Sequence, residues 1–158
     1  MNVFAFAALA VTLAFVGSRA YAADTSAKRV RDVELATRLG ADERGMRQYV
    51  LVILKTGPTR VPDGKQRDAM FAAHFANIGR LAKQGKLVLA GPFGEDASGW
   101  RGLFLFAVSD IEEARGLTAT DPVIVNGEMV AEYHAWYGSA AAMMLPELHE
   151  KIAPRKPE

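Results

Sequence analysis

Between Tyr49 and Trp136 the apolar positions fall into four runs of strand length, interleaved with two stretches of helical spacing. Tyr49 to Leu54 (YVLVIL) is continuously apolar and rich in β-branched residues, which predicts a strand. Gly57-Pro58 and Pro62-Asp63-Gly64 follow it as turn signals. From about Lys65 to Gln84, Met70, Phe71, Phe75, Ile78, Leu81 and Ala82 recur every three or four positions, with Arg80, Lys83 and Gln84 on the other side. That pattern predicts an amphipathic helix stopped at Gly85. Leu87 to Ala90 reads as a short strand ended by Gly91-Pro92, and Phe93 to Trp100 as a Gly- and Asp-rich loop. Leu103 to Val108 (LFLFAV) predicts a third strand. Ser109, followed three residues later by Glu112, is a capping-box signature for a short helix over Ile111, Ala114 and Leu117. Asp121-Pro122 and Asn126-Gly127 are turn signals, and Met129 to Trp136 alternates as a fourth strand.

The order β-α-β-β-α-β predicts a ferredoxin-like α+β fold with an antiparallel sheet. Its two helices can cover one face of that sheet. A sheet wetted on its other face should alternate polar and apolar residues, yet YVLVIL and LFLFAV are apolar at both parities. The second face is therefore expected to be buried. With no third helix predicted in the core, a second copy of the same sheet is the simplest cover, which predicts a homodimer.

The flanks read differently. Val3 to Val16 is apolar apart from Thr12, and Ala20-Tyr21-Ala22 has the small-x-small form of a signal-peptidase site. Residues 1–22 are read as a secretory signal whose apolar run is too short to span a bilayer. A periplasmic or secreted protein without stable membrane insertion is expected. Residues 23–47 are polar and charge-mixed, and Val30, Val33, Ala36 and Leu39 allow one amphipathic helix with Gly40 as its stop. This segment reads as a spacer or loosely docked helix, or as a partner-binding helix. Residues 141–158 read as a tail with one short apolar patch, and His149 within it has no assigned role.

Composition narrows the functional classes. The 158 residues are 50% hydrophobic and 23% charged, an ordinary globular balance. Nineteen basic residues against eighteen acidic ones give no reason to expect nucleic acid or an anionic membrane as partner. The absence of cysteine excludes a disulfide scaffold, a thiolate metal site and a cysteine nucleophile.

His74 falls between Met70 and Ile78, inside the apolar arc of the long helix. A histidine there must find a hydrogen-bond partner, whether as a satisfied core residue, a general base or a ligand contact. No second metal ligand stands at the third or fourth position along, where Asn77 and Ile78 lie, so no helical metal pair is expected. Asp121 before Pro122 is a natural N-cap. A carboxylate can also hold the Nδ1–H of a histidine and leave Nε2 as base. Tyr133, His134, Trp136 and Tyr137 cluster about the last strand, as packing, interface or ligand contacts. Trp100 and Arg101 end the loop and could close over an anionic ligand, or remain solvated.

Several of these segments together resemble the YCII-related family of dimeric α/β-barrel proteins. They are YVLVILKTGP at 49–58, HFANIGRLAKQGKLVLAGPFG at 74–94, RGLFLF at 101–106, ATDP at 119–122 and EYHAWYGSA at 132–140. Ala135 stands where relatives tend to have proline. The resemblance implies a ferredoxin-like domain over residues 48–140 that dimerises through its sheets and keeps a cleft in each subunit. It implies an acid–base pair of His74 and Asp121 working without metal or organic cofactor. It includes a dehydrochlorinase that acts on a chlorinated aromatic. The expected function is binding of a small organic molecule, with lyase-like proton abstraction. His74 and Asp121 are the expected catalytic pair, and Arg101, Trp100, Phe93 and His134 the expected substrate contacts. The alternative is a non-catalytic ligand-binding or dimeric interaction module.

Overall fold

A computed structural model describes residues 30–95 and 97–154; the architecture is that of the compact unit beginning at Arg31. The elements in chain order are α1 (Val33–Arg38), β1 (Met46–Thr56), α2 (Lys65–Lys83), β2 (Leu87–Pro92), β3 (Trp100–Phe106), α3 (Ile111–Thr118), α4 (Pro122–Val125) and β4 (Met129–Ser139). A 3-10 turn (Ala140–Met144) and α5 (Leu145–Ile152) follow. The four strands form one sheet in the order β2-β3-β1-β4, antiparallel throughout. This is the expected ferredoxin-like α+β arrangement. The expected signal sequence lies outside the described residues.

Side-chain parity sorts the core. Val50, Val52 and Leu54 of β1 and Phe104 and Phe106 of β3 pack against Met70 and Leu81 of α2, with Ala114 and Val123 from the shorter helices. On the opposite face Tyr49, Val88 and Leu105 are buried, packed against Ala142 and Met143. Both parities of the central strands bury residues, although Leu51 and Leu103 on the second face stay partly exposed. The cover on the second face differs from expectation, because part of it is the chain's own C-terminal segment. Ala140 to Met144 folds back as a 3-10 turn whose start is capped by Ser139. The residues after it form a helix, not a tail, with Pro146 in its first turn, where a missing N–H costs nothing. The β4 side of this face is open: Val130 and Trp136 stay about two-fifths exposed.

Three local expectations shift. The β3 ladder starts at Trp100, three residues before the apolar run, because backbone pairing with β1 and β2 does not require apolar side chains. The cap of α3 is Asp110, whose carboxylate accepts the Glu112 N–H at 3.2 Å; an aspartate next to the first turn displaces Ser109. Helix α1 is only six residues long and leaves Val33 in solvent. It is docked through buried Leu39, whose carbonyl accepts from Arg47 Nη1 at 3.0 Å.

Candidate functional site

The buried stripe of α2 runs Met70, His74, Asn77, Leu81, so helical periodicity carries His74 onto the sheet-facing side. Asp121 caps α4, which packs against α2. Its side chain accepts from Val123 N–H at 3.2 Å, and Pro122 occupies the first turn. The same carboxylate meets His74. Nδ1 of the histidine lies 2.8 Å from one oxygen and 2.9 Å from the other. An ionised carboxylate only accepts, so Nδ1 carries a proton; in the neutral imidazole Nε2 then holds the lone pair. Asp121 is fully buried and His74 is 7% exposed, so the pair is held with little solvent competition.

His74 opens on a cleft of about 500 Å³ between α2 and the β2–β3 end of the sheet. Its walls are mostly apolar. Phe75 and Phe104 place their ring centroids 5.3 Å and 6.1 Å from the imidazole, and Phe71 meets it edge-on at 6.1 Å. Space is left because β3 carries glycine at 102, on the helix side of the sheet opposite Leu54. A Cβ on Gly102 would lie 2.9 Å from the Gly91 carbonyl oxygen, so the site excludes any larger residue without moving β2.

Arg101 reaches this cleft through a defect in the ladder. Leu54 pairs with Gly102, but Lys55 pairs with Trp100, leaving Arg101 as the extra residue of a bulge. Bulges re-aim side chains, and Arg101 lines the cleft together with Phe93. Trp100 lies just outside. Its ring meets Phe93 at a tilt, with centroids 5.3 Å apart, and it borders an adjoining depression of about 460 Å³ that shares Phe93 and Arg101 with the cleft.

Behind Arg101 lies a residue that sequence reasoning missed. Glu128 is almost wholly buried between two cations: Arg67 Nη2 bonds it at 2.7 Å, and Arg101 Nη1 stands 3.9 Å away. Its other oxygen accepts the Val61 N–H at 2.8 Å. The Arg67 hydrogen bond holds the Glu128 carboxyl below the usual carboxylate range, against the opposing effect of burial. The same bond raises the Arg67 guanidinium, which also lies over the Phe71 ring at 4.9 Å. An acid after an Asn-Gly turn carries no signal linking it to an arginine on a distant helix.

Of the expected site residues, His74, Asp121, Arg101 and Phe93 are brought together, and Trp100 adjoins them. His134 is not among them. It pairs with Leu51 on the opposite face of the sheet and bonds Glu132 at 2.9 Å, because its parity along β4 points it away from the helices. Among the described residues no group of three or more His, Asp or Glu is placed to hold a metal ion.

Comparison with known proteins bears on the same segment. A sequence model of the YCII-related domain matches residues 48–136. The chain belongs to the YCII-related domain family. The YCII-related match covers most of β1, all of β2 and β3 and most of β4, and includes His74, Arg101 and Asp121. No curated protein matches the chain. Among solved structures, this YCII-related chain is similar to 5-chloro-2-hydroxyhydroquinone dehydrochlorinase from Burkholderia phenoliruptrix AC1100, in complex with 2,5-dihydroxybenzoquinone. Identity is 20%, with 56% of this chain and 92% of that chain covered at a TM-score of 0.42.

Proposed function

We propose that this YCII-related protein binds a small organic molecule in the His74 cleft and moves a proton on it. The observation that carries the reading is the buried Asp121 carboxylate bound to His74 Nδ1 at 2.8 Å, which makes Nε2 the base nitrogen of the neutral ring beside an apolar cleft. Nε2 takes a proton from an acidic C–H or O–H of the ligand. The electron pair left behind then expels a leaving group from the adjacent carbon, as in an elimination, or recaptures a proton elsewhere, as in an isomerisation. Asp121 orients the ring and stabilises the imidazolium that forms. The apolar walls exclude water from the exchanging proton.

The test has two stages. Small organic acids, phenols and quinones are screened by thermal shift against the wild type and His74→Ala. A ligand at about 100 times its dissociation constant adds about 2.7 kcal/mol. Compounds that bind are then followed by NMR in deuterated water. Deuterium incorporation or elimination with the wild type, lost in His74→Ala, is the expected result. Ligands that bind but return chemically unchanged and unlabelled would leave a binding protein and remove the enzyme reading.

Two further features belong to the proposal. The apolar run Val3–Val16 before Ala20-Tyr21-Ala22 supports export; mass spectrometry of the protein from the producing cell should find Ala23 as its first residue. The open β4 side of the sheet, with Val130 and Trp136 exposed beside Leu51 and Leu103, supports a sheet-to-sheet homodimer.

A further inference from the structure

We propose that the cleft selects a ring-sized apolar ligand bearing one anionic oxygen group, seated on Arg101 while His74 addresses the reacting proton. The inference rests on the proposed ligand-binding role of that cleft and names its substrate class. Its ground is the charge balance around Glu128. That carboxylate is already satisfied, by Arg67 at 2.7 Å on one oxygen and by the Val61 N–H at 2.8 Å on the other. Arg101 stands 3.9 Å off, beyond hydrogen-bond reach, and among the described residues its guanidinium has no hydrogen-bond acceptor. Two guanidiniums therefore share one carboxylate, and the surplus charge belongs to the one that lines the cleft. Among the described residues other acids do not cancel it. Asp63 pairs with Arg60 and Arg67 in solvent, Glu95 borders the outer depression, and Asp121 is buried behind His74.

Arg101 is also pre-aimed. The bulge fixes its direction, and the Glu128 carboxylate attracts it from behind at 3.9 Å without occupying its donors. A guanidinium with open donors in a largely apolar cleft binds a carboxylate or phenolate through charge-assisted bonds, stronger there than in water. The Phe71, Phe75 and Phe104 rings then supply the surface for the apolar body.

Benzoate and its neutral isostere benzamide test this by isothermal titration on the full chain at low ionic strength. The wild type should prefer benzoate by about tenfold or more, the worth of one charge-assisted contact. Arg101→Gln should bring the ratio close to one while changing benzamide affinity by no more than about twofold, and Arg101→Lys should retain much of the preference. Equal binding of both probes by the wild type, or a benzoate preference surviving in Arg101→Gln, would overturn the charge inference and leave the cleft reading standing. Binding of neither probe at millimolar concentration would overturn both.

Discussion

Asp121 serves two masters with one carboxylate: it caps α4 through Val123 N–H and fixes the His74 ring through Nδ1. The two roles separate by substitution. Asparagine is an equally good cap, but its amide can donate as well as accept, so it no longer dictates which ring nitrogen carries the proton. Asp121→Asn should cost about 1 kcal/mol in urea denaturation and slow proton exchange on a bound ligand by about 10²-fold or more. Asp121→Ala loses the cap and strands a buried N–H, and should cost about 2–4 kcal/mol. Glu128 has a different signature. Its pKa is depressed from the ordinary 4.5, so its pairing with Arg67 stabilises the fold above that value and is lost as pH falls through the folded-state pKa. Glu128→Gln should be less stable than wild type at pH 7, and the gap should narrow on acidification below about pH 4.5, read from urea midpoints between pH 7 and 3. Helical spacing alone placed His74 on an apolar arc. Its partner stands 47 residues away, and no local pattern connects them.

Strands and turns decide where these side chains point. Strict alternation from Leu103 would put Arg101 on the far face of the sheet; the slip between Leu54 and Lys55 brings it to the cleft. That slip depends on two chains of backbone bonds rather than on any side chain, and the apolar pattern does not show it. The exit of β1 is equally exacting. Gly57 N–H donates to the Glu128 carbonyl at 2.9 Å, and a Cβ at 57 would stand 2.1 Å from the Gly127 carbonyl oxygen. Gly57→Ala should therefore destabilise by about 1–3 kcal/mol, as other overpacked contacts do. Because the shift moves Glu128, it should also weaken anion binding at Arg101, measurable by titration with benzoate. Gly57-Pro58 was legible in the sequence as a turn; the close approach that makes the glycine obligatory was not.

At the level of the molecule the open face of the sheet is the unfinished surface. Tyr49 is buried beneath Trp136, with ring centroids 5.4 Å apart, and the 3-10 turn packs against the same end of the sheet. Away from that end Leu51, Leu103 and Val130 remain partly exposed beside Lys55, Glu132 and His134. The Lys55 bond holds the Glu132 carboxyl below its ordinary range, with His134 adding to the effect. A second copy of the sheet would bury the apolar strip and surround this charged trio. Light scattering on the wild type should give the mass of two chains. Val130→Glu should give the mass of one and melt cooperatively but lower, at a temperature independent of protein concentration, because the subunit contact no longer adds to stability. A wild type that is monomeric at tens of micromolar would sink the sheet-to-sheet dimer.

Periodicity determined the elements and their order, because a period of two or of 3.6 is a property of neighbouring residues. Order then restricted the topology to few choices, and continuous apolar runs declared both faces of the central strands buried. What covers the second face was decided by folding: Ala142 and Met143 return to it from a segment whose sequence reads as a tail. The site was decided in the same way. The Asp121–His74 bond, the Glu128–Arg67 pair and the re-aimed Arg101 each join residues distant in sequence or depend on ladder register. Such contacts form only when packing brings separate elements within hydrogen-bond distance, and no local periodicity encodes them.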